Sequence, residues 1–88
     1  MNIEVRMFMK FRSYLPPGST NGKAIISLEK GATLEILLNL LGIPIDEPKI
    51  MAINGVSHGF SGAVNSSVLK EVLEEGDIVS FFSPSGGG

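Results

Sequence analysis

The 88-residue sequence contains no cysteine, a single histidine and few charges of either sign. The lack of cysteine excludes disulfides, thiolate metal ligands and a thiol nucleophile together. His58 alone cannot build a zinc site. Only seven residues are basic against nine acidic, for a net charge of −2. Arg6, Lys10, Arg12, Lys23, Lys30, Lys49 and Lys70 are scattered, with only Lys10 and Arg12 close together. The clustered cations that grip a phosphate backbone are missing, so nucleic acid is not an expected partner. No apolar run approaches the roughly 20 residues of a membrane-spanning helix. The opening MNIEVRMFMK interrupts its apolar residues with charge and has no small-residue cleavage pattern, so it does not read as a signal peptide. The expected location is the cytoplasm, with no membrane partner.

What is present is a globular composition. Hydrophobic residues make up 43% and charged residues 18%, which suits one modest core in a chain too short for a second domain. From Ile3 to Lys10 the odd positions Ile3, Val5, Met7 and Met9 are apolar, while Glu4, Arg6 and Lys10 are polar. That period of two marks a half-buried strand with Met9 on its core face. Phe8 breaks the alternation by standing on the polar face. FRSYLPPGSTNG then reads as a helical turn from Phe11 to Leu15 followed by a loop, and KAIISL as a second strand antiparallel to the first. Leu34, Leu37, Leu38 and Leu41 share one helical face, with Thr33 as N-cap, Glu35 in the first turn and Gly42 just past the end. MAINGV is a strand entering a hairpin, because Asn54-Gly55 suits the positive φ angles of a type I′ turn. A short helix is expected over VLKEVL, capped by Ser66 or Ser67 and ending at Gly76. Asp77 to Phe82 forms the last strand, with Val79 and Phe81 facing the core.

The order strand, strand, helix, strand or hairpin, strand implies an α+β domain with one main helix packed on one face of a mixed sheet. It is the order of the β-grasp, the ubiquitin-like fold, in which the first and last strands lie side by side and parallel in the middle of the sheet. The β-grasp domain is placed at residues 1–83, and a flexible glycine-rich tail at 84–88.

No side-chain constellation for catalysis emerges. His58 reads as a solvated loop residue beside the hairpin. Ser57 cannot pair with it, because neighbouring strand side chains point to opposite faces. Asp46, Glu47, Glu74, Glu75 and Asp77 form no ligand pattern, and EEGD reads as the turn that launches the last strand, with Gly76 left-handed. GSTNG lacks the Lys-Ser/Thr pair of a phosphate-binding loop and precedes a strand instead of a helix. No metal and no bound cofactor are expected. The group left over is the carboxylate that follows Gly86, Gly87 and Gly88. Once activated, for example by transfer to AMP, a carboxylate accepts a sulfur or amine nucleophile. Glycines without Cβ atoms let such a tail thread a narrow channel and leave the acyl carbon unhindered.

MFMKFRSYL at the first strand, GATLEILLNLLGI across the helix, MAINGV at the hairpin and LEEGDIVSFFSPSGGG at the end resemble the ubiquitin-like sulfur carriers of the MoaD and ThiS family. The most specific part is the combination of a Gly-Asp turn, a strand, an aromatic pair with proline, and terminal glycines. The resemblance implies a protein that is not an enzyme on its own: Gly88 is adenylated by an E1-like enzyme, which uses ATP, and is converted to a thiocarboxylate with sulfur from a donor protein. FRS and the ending FFSPSGG look most like the small subunit of molybdopterin synthase, MoaD. That branch implies insertion of the tail into a pocket of the large subunit and sulfur donation in molybdenum cofactor biosynthesis. A thiamine-type carrier, a ubiquitin-like modifier joined to lysines, and an accessory β-grasp domain that only binds partners stay open as alternatives. The stretch from Val56 to Lys70 is longer than the corresponding family region, and the third glycine, Gly86, leaves Gly87 as the alternative reactive residue.

The strand pattern carries a separate expectation. Phe8 shares a face with Arg6 and Lys10, and Phe82 shares one with Ser80, so both aromatics lie on the side away from the helix. If the first and last strands are neighbours, Phe8 and Phe82 form one exposed apolar patch, with Pro84 directing the exit of the tail, and together these three residues are the expected partner contacts. The alternative is that the Val56 to Lys70 segment covers one ring, through Phe60.

Overall fold

Ile3, Val5 and Met7 alternate with Asn2, Glu4 and Arg6, and they form strand β1 (Asn2–Met7), whose odd side chains are buried. The computed structural model describes residues 1–58 and 66–83. On one side β1 pairs antiparallel with β2 (Lys23–Ser27), placing Ile3 opposite Ile26. On the other it pairs in parallel with β5 (Ile78–Phe82), placing Val5 opposite Val79 and Met7 opposite Phe81. Strand β3 (Ile50–Ile53) runs antiparallel to β5, and β4 (Val56–His58) antiparallel to β3. The sheet order is β2-β1-β5-β3-β4. The expected α+β β-grasp, with its first and last strands parallel at the centre, is borne out.

Period-two burial on the sheet meets a helical stripe. Val5, Met7, Met51, Val79 and Phe81 face α1 (Leu34–Leu41), whose Leu34, Leu37 and Leu38 are buried against them. The caps stand where the residue types require. The Thr33 hydroxyl accepts the Ile36 N–H at 3.4 Å, and Gly42 adopts φ 78, beyond which the Ile43 N–H reaches the Leu38 carbonyl at 3.0 Å. At the hairpin, Asn54 and Gly55 have φ of 51 and 86, the paired positive values of a type I′ turn.

Three expectations need correction. The first strand stops at Met7 and does not continue to Lys10. Met9 takes φ 56 and starts a 3₁₀ helix, Met9–Tyr14, so Met9 is half-exposed and Phe11 enters the core in its place. The larger apolar area of the phenyl ring makes that exchange favourable. The second helix, α2 (Ser66–Leu69), is shorter than VLKEVL and starts within the residues read as its cap. Beyond it the chain extends across the start of α1, where the Leu34 N–H donates to the Glu71 carbonyl at 3.0 Å and the Leu73 N–H to the Ala32 carbonyl at 2.9 Å. An otherwise unsatisfied first-turn N–H of α1 thereby gains an acceptor, and Leu73 is buried, which outweighs one more turn of isolated helix. His58 belongs to β4, paired with Met51, and not to a loop.

The EEGD run is a built turn. Gly76 has φ 85, and its N–H donates to the Asn2 carbonyl at 2.9 Å. The Asp77 carboxylate accepts the Glu74 N–H at 2.8 Å and the Asn54 side-chain amide at 2.9 Å, and the Asn54 side-chain carbonyl accepts the Ile78 N–H at 2.9 Å. This network locks the hairpin to the start of β5. Leu37→Ala, in the middle of the buried helical stripe, is expected to destabilise the domain by about 2–5 kcal/mol. A lowered urea midpoint with an unchanged denaturant slope would show it.

Candidate functional site

The site grows from the ends of the two central strands. Strand β5 presents Val79 and Phe81 to the helix, so Ser80 and Phe82 face the opposite side. After β1, the extended backbone of Phe8 (φ −123, ψ 146) continues the alternation for one more residue, and its N–H donates to the Phe81 carbonyl at 3.0 Å. The two rings therefore meet on the outer face, stacked with centroids 4.6 Å apart and planes inclined by 7°. Phe8 remains 40% exposed. Ile50, opposite Phe82 in the register, extends this apolar row onto β3. Its neighbours in the next row are Arg6, Ser80 and Ala52, so the row ends abruptly in polar and small residues.

A second aromatic group lies on the inner side of the same end. Phe11 packs at 6.3 Å from Phe81 and at 5.9 Å from Tyr14. The Tyr14 hydroxyl donates to Glu47 at 2.7 Å, and the Lys10 ammonium lies 3.2 Å from the other oxygen of that carboxylate. The hydrogen bond from Tyr14 and the charge of Lys10 hold the Glu47 carboxyl below its ordinary range. The same hydrogen bond, with burial and the neighbouring carboxylate, pushes the Tyr14 phenol above its own.

Next to this cluster, Lys49 is 0% exposed. Its ammonium donates to the carbonyls of Pro44 at 2.9 Å and Ile45 at 3.0 Å, and also to that of Glu47. Three acceptors match the three donors of an ammonium. Burial pushes the Lys49 pKa down, against the pull of the Glu47 and Asp46 carboxylates. Lys49 thus ties the connection from α1 to β3 into one body and fixes where Ile50 enters the sheet beside Phe82. Sequence reasoning missed it. The available signal was register: Lys49 has the parity of buried Met51, yet a lysine in that position is ordinarily a surface residue.

Of the residues expected at the site, the structure brings Phe8 and Phe82 together. Pro84, Gly86, Gly87, Gly88 and Phe60 lie outside the described residues. Ser83 is buried, and its hydroxyl finds no partner among the described residues. Glu75 and Asp77 serve the backbone, Glu75 accepting the Asn2 N–H at 3.0 Å. No group of His, Asp and Glu among the described residues could hold a metal ion. Among the same residues no helix is long and apolar enough to cross a membrane.

The family model for the Mut7-C ubiquitin domain matches residues 1–81. The chain belongs to the Mut7-C ubiquitin family. No curated protein matches its sequence. Among solved structures, SAMP1 from Haloferax volcanii is similar over 100% of both chains, with a TM-score of 0.69 and 19% identity. A putative molybdopterin converting factor, subunit 1, from Pyrococcus furiosus is similar over 94% of this chain and 97% of that one, with a TM-score of 0.63 and 21% identity. The Mut7-C ubiquitin chain therefore shares the ubiquitin-like β-grasp fold of these two structures.

Titration separates the role of the Tyr14 contact. Because the folded Glu47 pKa is lowered, its contribution to stability is present above the ordinary carboxylate range and is lost as pH falls through the lowered value. Tyr14→Phe is expected to return the Glu47 pKa toward its ordinary value in an NMR titration. It is also expected to cost about 1 kcal/mol of stability at neutral pH, with the difference shrinking in acid.

Proposed function

We propose that this chain is a sulfur carrier whose Gly88 carboxylate is adenylated by an E1-like enzyme and converted to a thiocarboxylate for donation in molybdopterin biosynthesis. One observation carries the reading. Strand β5, held at the centre of a β-grasp sheet, ends beside an exposed stack of Phe8 and Phe82, and the sequence beyond it runs Ser83, Pro84, Ser85 and three glycines. The protein contributes a rigid body and a docking row, and its partners contribute the chemistry.

In that chemistry the carboxylate displaces pyrophosphate from ATP, and a donor protein's persulfide displaces AMP from the acyl-adenylate. A thiol then cleaves the resulting acyl disulfide, leaving the thiocarboxylate on the carrier and a disulfide on the donor. The carrier binds no cofactor of its own, and ATP is held by the activating enzyme. Phe82, Phe8 and Ile50 supply the desolvated aromatic and aliphatic contact that anchors such interfaces. Pro84 limits the exit directions of the tail, and Gly86 and Gly87 pass through the partner's channel. The large subunit of molybdopterin synthase is the acceptor in this reading, and the reactions take place in the cytoplasm.

Intact-mass spectrometry after incubation with the E1-like enzyme, ATP and a sulfur donor is the test. Replacement of one terminal oxygen by sulfur is the expected result. Conjugates to lysines of other proteins would make the chain a modifier instead. Unchanged activity after deletion of Gly87 and Gly88 would overturn both. Phe82→Ala is expected to weaken capture of the E1-like enzyme by about tenfold or more, as loss of a central aromatic anchor does. Undiminished binding would remove Phe82 from the interface.

A further inference from the structure

Strand β2 forms one edge of the sheet, and its free side is bordered by two grooves. One, of about 520 Å³, lies on the outer face between Ile25 and the loop containing Pro16 and Pro17. The other, of about 390 Å³, lies at the opposite end of the strand on the helix side, between Leu28 and the α1 residues Ile36 and Leu40. Ile25, Ile36 and Leu40 are 63%, 50% and 60% exposed.

The hydrogen-bond register decides which backbone groups face the edge. The Met7 N–H donates to the Gly22 carbonyl and the Leu28 N–H to the Met1 carbonyl, both at 2.8 Å. Even-numbered residues of β2 therefore turn their backbone groups to β1, and the N–H and C=O of Ile25 and Ser27 point outward. Lys23 is already engaged, because its N–H and C=O close a bridge with Thr20 at 3.0 and 3.1 Å. An edge with free ladder groups and an exposed isoleucine is a template for another strand.

We propose that β2 receives an extended peptide segment of a partner protein as a sixth strand, aliphatic at its centre and acidic at both ends. Successive side chains of an added strand point to opposite faces, so alternate residues enter the outer groove beside Ile25 and the inner groove over Ile36 and Leu40. Charge sets the ends. Lys23 rims the outer groove and Lys30 the inner one, and neither takes part in an ion pair among the described residues. Glu4, in the outer groove, is engaged by Arg6. Glu29 stands beside Lys30 on the inner rim and disfavours acid toward the middle of the segment. A second copy of this chain fits less well. Its own β2 would bring Ile26 to the inner side, and that side chain is committed to its own core and cannot enter the inner groove.

The probe is a synthetic peptide, Glu-Glu-Val-Leu-Val-Leu-Glu-Glu, titrated into the nitrogen-15-labelled full chain. Expected are amide shifts at Ile25, Ser27, Ile36 and Leu40, with slowed hydrogen exchange at the Ile25 and Ser27 amides, which apolar contact alone would not produce. Leu40→Lys tests the inner groove and Ile25→Pro removes an edge donor, a position where proline is compatible with the fold. Each is expected to weaken binding by about tenfold, with the dispersed spectrum of the folded domain retained. Absence of binding, shifts confined to the Phe8 and Phe82 end, or equal affinity for a peptide methylated on alternate backbone nitrogens would overturn the proposal. Slowed exchange at Ile25 and Ser27 without peptide, accompanied by a dimer in sedimentation, would overturn it in favour of a second copy.

Discussion

Val5 opposite Val79 and Met7 opposite Phe81 join the first strand to the last in parallel, at the centre of the sheet. Parallel neighbours cannot be linked by a tight turn, so everything between them must cross over, and here the crossover contains the helix, the hairpin and the second edge. The pairing has two consequences. It buries both central strands on one face under α1, which supplies most of the core. It also places the end of β5 beside the residue after β1, so Phe8 and Phe82, far apart in the chain, become stacked neighbours on the other face.

The same end is stiffened from the side by an unusual element. A lysine that is buried is costly unless its donors are satisfied, and Lys49 meets that condition with three carbonyls from the connection that precedes it. Tyr14 and Lys10 hold Glu47 in the same connection. Ile50 therefore leaves a fixed loop and enters the sheet beside Phe82. An apolar row built on fixed backbone would lose less conformational freedom on binding a partner than one built on a mobile loop.

Much of this was legible beforehand where local chemistry and tertiary placement agree. Thr33 and Gly42 bound the helix because a hydroxyl N-cap and a left-handed C-terminal residue are local requirements. Asn54-Gly55 makes the type I′ hairpin for the same kind of reason. The reading failed where a distant partner decided the conformation. Met9 has the parity of a core residue, but Phe11 takes the buried place once the chain turns into the 3₁₀ helix. Val72 and Leu73 have helical spacing, but the open N-terminal turn of α1 draws that segment into an extended crossing.

Alternation and capping thus determined the elements, the core face of each strand and the outward direction of Phe8 and Phe82, because these depend on periods of two and 3.6 along a single chain. The tertiary structure alone decided that the two rings stack and that Lys49 is enclosed. It also decided that the edge of β2 lies between two grooves, since each of these needs atoms from segments remote in sequence at distances no local pattern encodes.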